Sequence, residues 1–176
     1  EISRNNGYLV YDRLFAMDSD FTVQPQMVDT YTKSDDGMNW SFTVRDGLTW
    51  HNGDPVTAAD CVASLARWGK RDGMGQALMT AMGSMTAVDD KTFTFELAKP
   101  FGLVLESIGK ISSNVPFMMP ASVAATDAFE QITDFTGSGP FMFSKVNGGP
   151  VRQVRYRNFK GNTQRSEPAS AAAVGK

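Results

Sequence analysis

The side chains best suited to nucleophilic chemistry in this 176-residue chain are its single histidine and single cysteine, His51 and Cys61. A Cys-His pair works only when both share a pocket and a third group orients the imidazole. Cys61 falls on the apolar stripe of a predicted helix, where a thiol is buried, protonated and inert. His51 lies between Trp50 and an Asn-Gly turn. Both are expected to be structural. One His and one Cys do not make a zinc site. Asp18-Ser19-Asp20 opens like a calcium loop but lacks the glycine at position six and the glutamate at position twelve. It is expected to be a turn, and neither a metal nor a cofactor is expected.

The paired carboxylates Asp35-Asp36 and Asp89-Asp90 fall at hairpin turns. Acid–base catalysis needs a sheltered pair whose pKa values are driven apart, and turn tips are wet. Gly137-Ser138-Gly139-Pro140 is not a phosphate loop, because Pro140 blocks a following helix and no lysine follows. Met74, Met79, Met82 and Met85 cluster around glycines. Methionine fills irregular core space and also lines adaptable binding surfaces. No enzyme activity is expected from this inventory.

Composition sets the frame for these residues. Hydrophobic residues make up 41% of the chain and aromatics 11%, enough for a real core and too much for a disordered segment. The longest apolar run, Ile111 to Ala125, is broken by Pro116 and Pro120, so no stretch reads as a membrane span. Residues 1–60 hold ten acids against four bases, whereas from Lys145 onward there are seven bases and one acid, Glu167. The basic end reads as a solvated strand face, Val151 to Arg157, rather than a nucleic-acid site, since no nucleic-acid module accompanies it.

The elements that position these residues follow from periodicity. Residues 1–15 suggest a helix in their C-terminal half, interrupted upstream at Asn5-Asn6-Gly7. Trp40, Phe42 and Val44 alternate with polar residues as one buried strand face. Asp46-Gly47 and Asn52-Gly53 bracket a short piece, Leu48 to His51, as tight turns. Thr57 is positioned as a helix N-cap with Asp60 as its capping-box acid. Cys61, Val62, Leu65 and Trp68 form the stripe behind it, and Gly69 is expected to end the helix.

Met85 to Val88 and Thr92 to Leu97 flank Asp89-Asp90 as a hairpin, with Phe93, Phe95 and Leu97 buried. Short helices are expected from Pro100 to Gly109 and from Pro120 or Ser122 to about Phe129. Phe141 to Phe143 and Val151 to Tyr156 form a last hairpin, and the Ala-, Ser- and Gly-rich tail, 161–176, reads as a linker. Intermixed hairpins and helices predict an α+β class.

Several of these pieces carry a resemblance. Ser34 to Gly53 reads SDDGMNWSFTVRDGLTWHNG and continues DPVTAADCV through Val62. Upstream stands Tyr11-Asp12-Arg13-Leu14; downstream stand Val88-Asp89-Asp90-Lys91-Thr92 and Gly137-Ser138-Gly139-Pro140-Phe141. In that order they resemble the peptide/nickel/oligopeptide family of extracytoplasmic solute-binding proteins. Cys61 departs from the family's usual Val, and Asn158-Phe159-Lys160 from its Asn-Pro-x-Tyr.

The resemblance implies part of a two-lobed, type II periplasmic-binding-protein-like fold. Residues 1–160 would belong to the first lobe, including its extra subdomain. The N-terminal strand, the second lobe and the export signal would lie outside this chain, a fragment that opens on Glu1 without an initiator Met. The implied function is periplasmic capture of a peptide or similar small solute for the permease subunits of an ABC importer, with no nucleic-acid partner. Ligand identity stays open among peptide, nickel, heme and opine. A standalone interaction domain and, less so, a hydrolase are the alternatives.

Two segments are expected to touch solute. In Gly73-Met74-Gly75-Gln76, read as a turn, glycines let backbone approach a ligand and Gln76 offers a donor and acceptors; Met74 is its apolar member. The polar loop Ser112-Ser113-Asn114 is the second, with Ser112 and Asn114 as its candidates. Both read equally as ordinary surface loops.

Overall fold

The computed structural model describes residues 2–144 and 152–155. In chain order the elements are α1 (Ile2–Val10), β1 (Phe15–Met17), β2 (Val23–Pro25), β3 (Val28–Lys33), β4 (Asn39–Val44), α2 (Ala58–Arg71), α3 (Gly73–Ala81), β5 (Met82–Ala87), β6 (Thr92–Leu97), α4 (Val104–Gly109), α5 (Ala121–Ala124), β7 (Phe141–Ser144) and β8 (Arg152–Arg155). The expected α+β class holds. The linker-like tail and the turn 147–149 fall outside the described residues, and of the solvated face drawn over residues 151–157 only the strand Arg152–Arg155 is described.

The alternation along β4 builds the centre of the molecule. Trp40, Phe42 and Val44 are buried on one face, while Ser41 and Thr43 lie on the other. β4 pairs antiparallel with β6 in a four-stranded sheet of order β3-β4-β6-β5. Its register sets Trp40 against Phe95 and Phe42 against Phe93, and the Phe42 and Phe93 rings stack at 5.0 Å. Such cross-strand aromatic pairs each add about 0.2–1 kcal/mol. Gly47 and Gly53 take φ of 74° and 94°, the left-handed values their tight turns require.

α2 covers this aromatic face. Its N-terminus carries the expected capping box: the Thr57 hydroxyl accepts from the Asp60 amide, and the Asp60 carboxylate accepts from Thr57. The same Asp60 carboxylate also accepts from the Trp50 indole (3.2 Å) and the Ala121 amide (2.7 Å), tying α2 to a loop and to α5. Cys61, Leu65 and Trp68 join the core cluster with the β4 and β6 aromatics, and Met79, Met82 and Met85 pack against it.

The helix expected from Pro100 begins only at Val104, though it ends at Gly109 as expected, and four further expectations change. The first helix runs through Asn5-Asn6-Gly7 and stops at Val10; Gly7 lies so close to Phe117 that an added Cβ would stand 2.4 Å from its ring. Gly69 does not end α2, which reaches Arg71. Gly69 and Gly75 are where α2 and α3 cross, an added Cβ on Gly75 meeting the Gly69 Cα at 3.0 Å. Residues 73–76 are not a turn but the first turn of α3. The helix expected to reach Phe129 is the single turn α5, because the Thr126 hydroxyl donates to the Val123 carbonyl and the Asp127 carboxylate accepts from the Phe129 amide. These local bonds compete with helix continuation.

Candidate functional site

The junction of α2 and α3 is built on one residue. Asp72 ends α2, its amide donating to the Trp68 carbonyl, and caps α3, its Oδ1 accepting from the amides of Met74 (3.0 Å) and Gly75 (3.2 Å). Both Asp72 carboxylate oxygens also receive the Lys110 ammonium, at 2.8 and 2.7 Å. The pair is sheltered, with 14% of the Lys110 side chain and 2% of the Asp72 side chain exposed. Burial pushes the Asp72 carboxyl up, but the bond from Lys110 and the amides of Gly75 and Met74 outweigh it. The group is held below the usual carboxylate range.

This node gathers the two segments marked in the sequence. Gln76, exposed on α3, donates through Nε2 to the Lys70 carbonyl at 3.1 Å. Asn114, also exposed, donates through Nδ2 to the Arg71 carbonyl at 3.1 Å, and its own carbonyl accepts from the Trp68 indole at 2.8 Å. Met74 is half-buried on the first turn of α3. Ser112 is exposed on the loop beyond Lys110, next to Ser113, whose φ of 60° bends the chain there. Residues about forty positions apart thus meet at the C-terminal end of α2, as neutral donors and acceptors beside an ion pair. Such groups hold amides or hydroxyls by hydrogen bonds; none is a nucleophile.

An open cavity of about 440 Å³ adjoins this end of α2, lined by Ser64, Arg67, Trp68, Arg71, Asn114 and Phe117 among others. Arg67 and Arg71 stand four apart on one helix face, a spacing visible in the sequence but not singled out there.

His51 and Cys61 are placed apart from that site. Cys61 is fully buried, and burial followed by the Asp60 carboxylate pushes its thiol well up, so no thiolate forms. His51 donates from Nε2 to the Gly139 carbonyl (2.8 Å) and accepts at Nδ1 from the Gly137 amide (3.2 Å), which assigns the neutral Nε2–H tautomer. Its backbone amide donates to Gly137 as well. Burial pushes its pKa down, opposed by the Gly139 bond.

Gly137-Ser138-Gly139 is therefore a seam. Ser138 donates to the buried Asp12 carboxylate at 3.0 Å, and Gly139 donates to the Val10 carbonyl. Burial raises Asp12 to about 7, against the pull of Ser138, Arg45 and Arg13. Asp35-Asp36 and Asp89-Asp90 are turn formers, Asp36 and Asp89 accepting from backbone amides of their own turns. Among the described residues, no three His, Cys, Asp or Glu side chains are grouped to hold a metal ion.

The architecture is that of part of a type II periplasmic binding protein. Solved structures of similar fold include the NikA protein of Brucella suis in complex with Fe(III)-EDTA (TM-score 0.74, 20% identity, 90% of this chain and 32% of that one). The AgaA binding protein of A. tumefacien R10 with agropinic acid is another (TM-score 0.72, 22% identity, 89% and 32%). The family of bacterial extracellular solute-binding proteins, family 5 (middle region), matches residues 22–168, and the chain belongs to that family. A probable peptide ABC transporter periplasmic-binding protein of Sinorhizobium fredii is 40% identical over 175 residues, covering 99% of this chain and 32% of that protein. The glutathione-binding protein of Salmonella typhi is 26% identical over 162 residues, 90% and 30%. The chain spans about a third of the length of these relatives.

Proposed function

We propose that this chain is a portion of the first lobe of an exported solute-binding protein, residues 1–160 including its extra subdomain. The whole protein captures a peptide or similar small solute in the periplasm and passes it to the permease subunits of an ABC importer. It performs no covalent chemistry. The observation that carries the reading is the family match across residues 22–168. The peptide-binding and glutathione-binding names of relatives support a peptide-like solute.

Capture would proceed by closure of two lobes about a hinge, each supplying part of the cleft. On this lobe the solute contacts are assigned to Met74 and Gln76 on the first turn of α3, to Asn114, bonded to the end of α2, and to Ser112 on the same loop as Asn114. Backbone hydrogen bonds and neutral amides suit the amide groups of a peptide. A solute-bound structure of the full-length protein tests the assignment. Gln76 or Asn114 is expected within about 3 Å of the solute, or one water away. Both side chains facing bulk solvent on the side away from the second lobe would refute it.

A further inference from the structure

Between α5 and β7 the chain passes through an irregular loop, exposed from Phe129 to Phe135 apart from Ile132, and then through Gly137-Ser138-Gly139, which is buried. One side of this strap lies flat on residues 10–12. The Gly139 amide donates to the Val10 carbonyl at 2.8 Å, and the Ser138 hydroxyl to the Asp12 carboxylate at 3.0 Å. A Cβ on Gly139 would stand 2.7 Å from the Val10 carbonyl carbon, so the two backbones are in direct contact. The other side is held by His51. Its backbone amide donates to the Gly137 carbonyl at 2.8 Å, its Nε2–H donates to the Gly139 carbonyl at 2.8 Å, and its Nδ1 accepts from the Gly137 amide at 3.2 Å.

This pattern requires a neutral ring. An imidazolium carries N–H on both nitrogens, so a second proton would set the Nδ1–H against the Gly137 N–H, two donors with nothing between them to accept. Two sets of charged groups face this seam. Asp134, exposed, borders the small cavity beside His51 with Thr133 and Thr136, and its carboxylate favours the imidazolium weakly across solvent. Behind the strap, Asp12 stands among Arg13, Arg45 and Gln26. Burial raises Asp12 to about 7, so it holds its proton better in the closed seam than in water. Its titration therefore tightens the seam in acid and runs opposite to that of His51.

We infer that Gly137-Ser138-Gly139 is a latch worked by one proton: neutral His51 holds the strap shut against Val10 and Asp12, and the imidazolium releases it. Release frees the segment that leads into β7 while α2 and the β3-β4-β6-β5 sheet stay folded. Both halves of this rest on geometry. The bonds on one side of the strap converge on a single titratable residue. The exposed, irregular loop before the strap lets it part without unwinding a helix or a strand. The sign is fixed, because burial holds the ring below its ordinary value. The His51 contribution is full above about pH 6.5 and is lost as pH falls through the lower native value. The latch stands apart from the proposed solute contacts and does not depend on them.

Hydrogen exchange of the full-length protein, read by mass spectrometry and corrected for the intrinsic pH dependence of exchange, tests the latch. Amides of residues 137–139 should exchange faster than those of β4 and β6 at every pH, the mark of local opening. Their protection should fall as pH drops from about 7.5 to about 5.5, by at most about tenfold per pH unit, the limit for one proton. His51→Gln keeps a donor and an acceptor but cannot titrate, so its strap should lack this acid loss. Asp12→Asn removes the opposing titration and should make the loss larger. A further readout needs no variant: in heteronuclear NMR the Gly137 amide should shift with the same midpoint as the His51 ring. Strap amides that exchange only as fast as β4 and β6 would overturn the latch. So would an acid loss undiminished in His51→Gln or abolished in Asp12→Asn, or a Gly137 amide that does not follow the His51 titration.

Discussion

Asp72→Ala is the perturbation that reaches furthest through the proposed site. It removes the cap of α3, a loss of about 1 kcal/mol in the general case. It also leaves Lys110 without its partner. Breaking a fully buried pair costs about 3–5 kcal/mol. The 14% exposure of the Lys110 side chain lets water reach the ammonium, so the lower end applies. The expected sum is about 3–4 kcal/mol, a large share of a typical stability of about 5–15 kcal/mol.

Asp72→Asn separates the two parts. Its carbonyl oxygen still accepts from the amides of Met74 and Gly75, so it should cost about 1 kcal/mol less than Ala. In a double-mutant cycle with Lys110→Met, the ion pair should appear as a coupling of about 1–2 kcal/mol. The assay is urea unfolding of the full-length protein, followed by tryptophan fluorescence. The pH dependence has a definite sign. A carboxyl held below its ordinary value contributes stability that is fully present above its unfolded value, about 3.9, and is lost as pH falls through the lower native value. The coupling should therefore be flat from about pH 6 to 8 and fade in acid. An Asp72→Ala cost under about 0.5 kcal/mol, or no coupling at neutral pH, would refute the reasoning.

Other outcomes follow from the same geometry. Thr57→Ala should cost about 1 kcal/mol in urea unfolding by deleting the capping box, with no change in solute affinity. The His51 pKa is lowered in the fold, so its protonation favours the unfolded chain; the stability advantage of the wild type over His51→Ala should shrink as pH falls from about 6.5 toward the lower native value. His51→Ala should be less stable at pH 7 and bind solute as the wild type does; calorimetric melting of both proteins across pH checks the difference. Gly137→Ala should destabilise by about 3 kcal/mol or prevent folding, because the new Cβ would stand 2.0 Å from the Val10 carbonyl oxygen. Soluble yield and melting temperature read the effect.

The parts of the fold that were legible in the sequence are those set by local rules. The Thr57/Asp60 box, the Cys61–Leu65–Trp68 stripe and the alternation of Trp40, Phe42 and Val44 each lie within a few residues of one another. What escaped depends on packing that overrides local propensity or on partners distant in sequence. The first turn of α3 was hidden because Gly73 and Gly75 have poor helix propensity; Asp72 as cap and the Gly69–Gly75 crossing override it. β3 was not recognised because it is an edge strand with Val28 its only buried residue. The role of His51 is set by Gly137 and Gly139, more than eighty residues away, so no local spacing marks it. Of the candidate contacts, Asn114 is joined to the end of α2 by hydrogen bonds that no sequence window contains, whereas Gln76 reaches back only six residues to Lys70. Ser112 reaches it only through the loop. Arg67 and Arg71 carried a readable i, i+4 signal, but the loop whose carbonyls they bind gave no hint of facing them.

The central claim, capture of a peptide-like solute, is tested most directly by what the protein carries. The full-length protein, purified without denaturation, is unfolded and the small molecules released are identified by mass spectrometry. The account predicts one short peptide or a narrow set of them, near one per protein molecule and absent from a control unrelated to this family. Release of no small molecule, from protein that also fails to gain thermal stability with any peptide supplied, would contradict it.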